Sequence, residues 1–170
     1  MIGITTERLV LKKPRHKDKQ LIVSQIGDWE VSKWLSKVPY PYTENDADEW
    51  IRTISRKELA FNIFENDSLV GGIELALHED DCHELGFWLG KQHWGQGFAM
   101  EAGKGLLHYA MEGLGIRNFK SSYMKGNDAS ARVLAKLGFI KSGEGKIYCL
   151  SRKETLPCVN LVLAYTHDYR

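Results

Sequence analysis

The stretch ELGFWLGKQHWGQGFAMEA, residues 84–102, sets four glycines between an apolar run and a segment with helical spacing. Glycine there costs backbone entropy on folding. A glycine-rich turn between a strand and a helix aims several backbone N–H groups at one point, at the positive end of the helix. That arrangement is an anion site, and phosphate is the usual anion. The same residues also fit a tight strand-to-helix turn that holds no ligand. Two nucleotide motifs are missing. No GxxxxGK followed by Ser or Thr occurs. Gly95-Gln96-Gly97 is followed by Phe98-Ala99-Met100, so the third glycine of a dinucleotide fingerprint is absent, and no carboxylate about twenty residues on ends a following strand.

A second cluster, HEDDCHE at 78–84, holds His78, Asp80, Cys82 and His83. It lacks regular ligand spacing and falls at an expected hairpin turn, so no metal site is read from it. Cys82 and His83 are neighbours on a strand and point to opposite faces, which rules out a nucleophile pair.

The elements that must position these residues follow from periodicity. ERLVLKKP (7–14) alternates as a strand and ends at Pro14. Residues 15–36 carry helical spacing at Leu21, Ile22, Ile26, Trp29, Val31, Trp34 and Leu35, broken by Gly27-Asp28. KVPYPY (37–42) is a loop. Thr43 caps a helix over 43–57 whose first turn is acidic. LAFNIFEN (59–66) and SLVGGIELALHED (68–80) form a hairpin about Asn66-Asp67, and CHELGFWLG (82–90) is a third strand. From Phe98, Ala99, Ala102, Leu106, Tyr109, Ala110 and Gly113 share one helical face. NFKSSYMK (118–125) is a strand. NDASARVLAKLGF (127–139) is a helix capped by Asn127 or Asp128 and stopped at Gly138. FIKSGEGKIYCLS (139–151) and LPCVNLVLAYTHDY (156–169) are two last strands. Strands that run together and later alternate with helices predict an α/β chain with a mixed sheet and helices on it.

At 170 residues the chain suits one domain. Apolar residues make up 43% and charged residues 26%, and 23 basic against 22 acidic side chains leave a net charge of +1. That balance lacks the basic excess of a nucleic-acid or membrane-surface binder. No apolar stretch approaches the roughly 20 residues of a membrane helix. Three cysteines without regular spacing, and an N-terminus without a signal-peptide core, predict reduced thiols in a cytoplasmic protein.

Trp94-Gly95-Gln96-Gly97-Phe98-Ala99 resembles the acyl-CoA pyrophosphate loop of the GNAT superfamily of N-acetyltransferases. ELGFWLGKQHWGQGFAMEA, NDASARVLAKLGF and TTERLVLKKPRHKD together resemble the RimJ/RimL branch, in order and over nearly the whole chain. The letters of the superfamily loop also fit Gln92-His93-Trp94-Gly95-Gln96-Gly97. The later register, with Trp94 in place of the usual Gln or Arg, is preferred because it puts Phe98-Ala99 at the helix start. Lys91 stands where the branch often has proline.

The resemblance implies a single GNAT domain over residues 1–170, with a central twisted, mostly antiparallel sheet and flanking helices. It implies acetyl-CoA as cosubstrate, no metal, and direct attack of a primary amine on the thioester without a covalent enzyme intermediate. The loop Trp94, Gly95, Gln96, Gly97, Phe98 and Ala99 would hold the pyrophosphate. The strand Phe87, Trp88, Leu89 would pair with the pantetheine arm, one of its N–H groups polarising the carbonyl. Glu84 shares a strand face with Gly86 and Trp88; it is the candidate general base, or binds the substrate ammonium, or pairs with a cation for structure. Many GNAT enzymes place a tyrosine on the later helix to protonate the leaving thiolate, but Leu134 stands there. Ser130, one turn earlier on the same face, is the candidate near the sulfur, or a helix residue bonding to backbone. Asn127 is a helix cap and matches the branch's cofactor-contacting asparagine.

Trp29, Trp34, Tyr40, Tyr42 and Trp50 surround the helical region and read mostly as core or lid packing; in this family that region walls the acceptor cleft, so the resemblance implies that a few of them line it. The acceptor is a protein N-terminus, as of ribosomal proteins, or a small amine. The alternative is a non-catalytic module that binds or senses acyl-CoA. Neither nucleic acid nor membrane is expected as partner, and the chain is a monomer or a homodimer.

Overall fold

The computed structural model describes residues 3–163. Its strands are β1 (Ile4–Thr5), β2 (Leu9–Lys12), β3 (Ala60–Glu65), β4 (Ser68–Leu77), β5 (His83–Leu89), β6 (Phe119–Met124), β7 (Phe139–Cys149) and β8 (Glu154–Leu163). They form one eight-stranded sheet in the order β1-β2-β3-β4-β5-β6-β8-β7. Every neighbouring pair is antiparallel except β5 and β6, which run parallel. The helices are α1 (Lys19–Ile26), α2 (Trp29–Ser32), α3 (Glu44–Ile54), α4 (Phe98–His108) and α5 (Asp128–Lys136). No helix among the described residues is long and apolar enough to cross a membrane.

Local chemistry explains the boundaries. Thr43 caps α3 in a reciprocal box with Asp46, whose carboxylate takes the Thr43 N–H at 2.7 Å. Asp28 caps α2 through the Glu30 N–H at 2.9 Å. Asn127 caps α5 through the Ser130 N–H at 3.2 Å. Asn66 and Asp67 both take left-handed φ, 45° and 64°, at the β3–β4 turn, the geometry that matches strand twist. Two expectations shift. The strand expected over 7–14 is half of a hairpin, because the Thr6 hydroxyl and the Leu9 backbone bond across a turn. The helix expected to run to Leu35 stops after one turn at Ser32 and continues as turns. The last strand was expected to reach residue 169; positions 164–169 lie outside the described residues.

Two apolar layers enclose the sheet. Phe98, Ala102 and Leu106 of α4 and Leu134 of α5 join Leu11, Ile63, Ile73 and Leu85 in the larger core. Ile22, Ile26, Ala47 and Ile51 of α1 and α3 pack with Phe64 and Leu69, and Trp88 leans on them. Strand alternation makes this possible: Leu85 enters the first layer while Glu84, Gly86 and Trp88 face the second.

Candidate active site

The parallel junction of β5 and β6 is short. Only His83–Phe119 and Glu84–Lys120 are in register, and the two strands then part. The odd residues of β5 turn their backbone toward β6. The His83 N–H donates to the Asn118 carbonyl at 2.9 Å, and the Leu85 carbonyl accepts the Ser121 hydroxyl at 2.8 Å. Gly90 turns the other way, its N–H on the Val70 carbonyl at 3.0 Å. By this alternation the N–H groups of Phe87 and Leu89 and the Phe87 carbonyl face the gap. The Leu89 carbonyl accepts the Trp94 indole N–H at 3.0 Å. The Trp88 backbone bonds to β4, opposite Gly72, and its indole lies against that glycine.

A cleft of about 420 Å³ opens at this gap. Glu84 and Trp88 line it from one face of the sheet, Ser130 and Leu134 from the other, and Trp34 and Trp50 also line it. The structure thus brings Glu84, Phe87, Trp88, Asn127 and Ser130 together around one space. Glu84 is held by two donors from different elements: His78 Nε2 lies 2.7 Å from Oε2, and the Ser122 hydroxyl lies 3.3 Å from Oε1. Glu74, diagonal to Glu84 on the same sheet face, is paired with Lys57 at 2.9 Å. The Ser130 hydroxyl has no hydrogen-bond partner among the described residues, while its N–H is taken by the Asn127 cap. Leu134 is 1% exposed and belongs to the larger core, so the site of the usual tyrosine is a packing position in this chain.

The glycine loop stands at the far end of β5. From Glu84 to Leu89 a strand advances roughly 17 Å at about 3.3 Å per residue, so an elongated ligand could span both ends. Gly95 and Gly97 take φ of 73° and 82°, values that side chains rarely adopt. Gly97 is the residue before α4, and Phe98 opens the helix. Residues 94–97 are exposed. An exposed, open-backboned turn on an eleven-residue helix is fit to receive an anion.

Three residues that the sequence alone did not single out complete the loop. Glu101 in the first turn of α4 accepts the Thr6 hydroxyl at 2.6 Å, the Arg8 N–H at 2.7 Å and Arg8 Nε at 2.7 Å. Arg8 Nη1 then donates to the Gln96 carbonyl at 3.0 Å. Burial pushes the Glu101 carboxyl up, but the bonds from Thr6 and Arg8 outweigh it and hold it below the usual carboxylate range. The signal was present in TTERLVLKKP, though nothing local shows that its arginine meets a loop some ninety residues later. Among the described residues no group of three or more His, Cys, Asp or Glu side chains is arranged to hold a metal ion.

Residues 8–140 match the family model described as an acetyltransferase (GNAT) domain. The chain is 31% identical over 151 residues to the uncharacterised N-acetyltransferase p20 of Bacillus licheniformis, covering 84% of this chain and 85% of that one. It is 33% identical over 98 residues to the ribosomal-protein-serine acetyltransferase of Escherichia coli (strain K12), covering 56% of this chain and 52% of that one. In fold it is similar to the GNAT-family acetyltransferase from Bacillus anthracis, with a TM-score of 0.85 at 21% identity over 95% of this chain and 98% of that one. The parted strands, the glycine loop on a helix and these matches agree: the chain belongs to the GNAT family of acetyltransferases.

Proposed function

We propose that the chain transfers the acetyl group of acetyl-CoA to a primary amine by direct attack, with Glu84 as general base and Ser130 beside the leaving sulfur. The observation that carries this reading is that Glu84 and Ser130, from opposite faces of the sheet, line one cleft where β5 and β6 part. Acetyl-CoA supplies an activated thioester carbonyl. The loop 94–99 receives its pyrophosphate, and the open edge of β5 at Phe87 and Leu89 receives the pantetheine arm. The Phe87 N–H faces the gap nearest Glu84 and is placed to stabilise charge on the carbonyl oxygen. Glu84 takes a proton from the acceptor ammonium; the amine nitrogen bonds to the carbonyl carbon as the carbon–sulfur bond breaks. The thiolate takes a proton from the Ser130 hydroxyl or from water, and the second proton shed by the acylated nitrogen restores that donor, leaving a neutral amide and a free thiol.

The acceptor we favour is a protein N-terminus. Its support is the similarity to a protein named as a ribosomal-protein-serine acetyltransferase, together with a cleft lined in part by Trp34 and Trp50, apolar surface for residues behind the amine.

Thiol release from acetyl-CoA, measured across peptides with N-terminal serine or alanine, spermidine and an aminoglycoside, tests the activity. Peptides should be fastest; a faster small amine overturns the acceptor. Glu84→Gln keeps the shape and removes the base, so kcat/KM should fall by roughly 10²–10⁴ while acetyl-CoA affinity stays within a few-fold. Turnover near the wild-type rate would remove Glu84 from the chemistry.

A further inference from the structure

In HEDDCHE, one histidine reaches the carboxylate that lines the cleft: His78 lies against Glu84. We propose that His78 is a positioning residue for the acetyl transfer, donating its Nε2–H to Glu84 and fixing the carboxylate for the acceptor ammonium. This rests on the reading of Glu84 as base.

Four observations carry it. His78 Nε2 and Glu84 Oε2 are 2.7 Å apart, a charge-assisted hydrogen-bond distance; with an ionised carboxylate the proton between them belongs to the imidazole. Ser122 donates to the other oxygen at 3.3 Å. One donor leaves a carboxylate free to swivel, whereas donors on both oxygens, from two separate elements, hold its plane. A carboxylate has about four lone-pair sites, so two remain for the incoming ammonium.

The turn that carries His78 is itself pinned. The His78 N–H donates to the Cys82 carbonyl at 3.0 Å, and the Asp81 N–H donates to the His78 carbonyl at 3.1 Å. The Cys82 N–H donates to the Asp80 carboxylate at 3.2 Å, and Lys120 grips its other oxygen at 2.7 Å. A surface turn tied at four points presents its histidine in a fixed place. Finally, neighbouring charges are engaged elsewhere: Lys120 with Asp80, and Glu74 with Lys57. His78 is therefore the ring N–H donor in direct contact with Glu84, with Lys120 acting on that carboxylate only through its charge, and His78 is not among the residues that line the cleft.

The test is a double-mutant cycle with the acceptor that releases thiol fastest in the panel above. His78→Phe should lower kcat at least tenfold and leave the acetyl-CoA dissociation constant unchanged, binding also certifying the fold. His78→Gln sets an amide N–H where Nε2 stands and should recover most of the lost rate. In the Glu84→Gln background, His78→Phe should change kcat less than twofold, because its effect runs through the carboxylate. Three results overturn the proposal: His78→Phe within twofold of wild type, His78→Gln as slow as His78→Phe, or a full His78→Phe loss that persists beside Glu84→Gln. If Glu84→Gln alone keeps wild-type turnover, the failure lies in the base assignment instead.

Discussion

Ser130 stands in the first turn of α5 and lines the cleft. Its N–H is consumed by the Asn127 cap, but its hydroxyl makes no bond among the described residues and borders the cleft. An unbonded hydroxyl contributes little to the fold. Ser130→Ala should therefore leave the melting temperature nearly unchanged. If the hydroxyl meets the departing sulfur, kcat should fall about tenfold with little change in KM for acetyl-CoA, the pattern of a contact made in the transition state. Steady-state kinetics over an acetyl-CoA series decide it, and an unchanged kcat would leave the thiolate to solvent. Placing a tyrosine at Leu134 is a poor route to rescue, because that position is packed in the core and overpacking costs about 1–3 kcal/mol.

Helix α4 and the β1–β2 turn act as one element through Glu101. Its carboxylate gathers Thr6 and Arg8, and Arg8 reaches on to the glycine loop. The Glu101 carboxyl is held below the usual carboxylate range in the folded chain. A depressed folded value contributes stability that is present above the unfolded value and is lost as pH falls through the folded one. Acidification below the usual carboxylate range should therefore loosen the loop and reduce the melting-temperature gain from acetyl-CoA. Glu101→Gln should show a smaller gain at neutral pH and lose this acid-dependent part. Thermal melts with and without acetyl-CoA from pH 7 down to pH 3 would show it; parallel profiles for the two proteins would refute the link.

For the whole molecule, ligand binding to the folded state alone raises stability by mass action. Millimolar acetyl-CoA should raise the melting temperature, and desulfo-CoA nearly as much, since the proposed loop and strand contacts do not need the sulfur. Gly97→Ala strains a residue at φ of 82° without adding charge, while Gly97→Asp adds a carboxylate to the loop proposed to receive the phosphate. Both should fold; the alanine variant should keep part of the shift and the aspartate variant none. An equal shift in the aspartate variant would move the pyrophosphate elsewhere.

The candidate residues were picked out one by one, because the signals that mark them are local. Glycine marks left-handed turns at 95 and 97, Asn127 and Thr43 mark caps, and period-two alternation puts Glu84 and Trp88 on one face. The start of α4 at Phe98 needed nothing beyond helix spacing. What joins these residues is not local. Sequence alternation marks β5 and β6 as strands but not the place where their ladder stops, so which amides face the gap waited for the pairing with β4 and β6. His78 looked like part of an ill-spaced metal cluster until the turn folded it onto Glu84. Arg8 and Glu101 lie far apart in sequence and meet only because α4 packs against β1 and β2. Hydrogen bonds and ion pairs between distant segments are set by how the layers pack, and packing is a property of the whole chain. The sequence determined the parts and the direction each faces; the tertiary structure alone decided which of them touch.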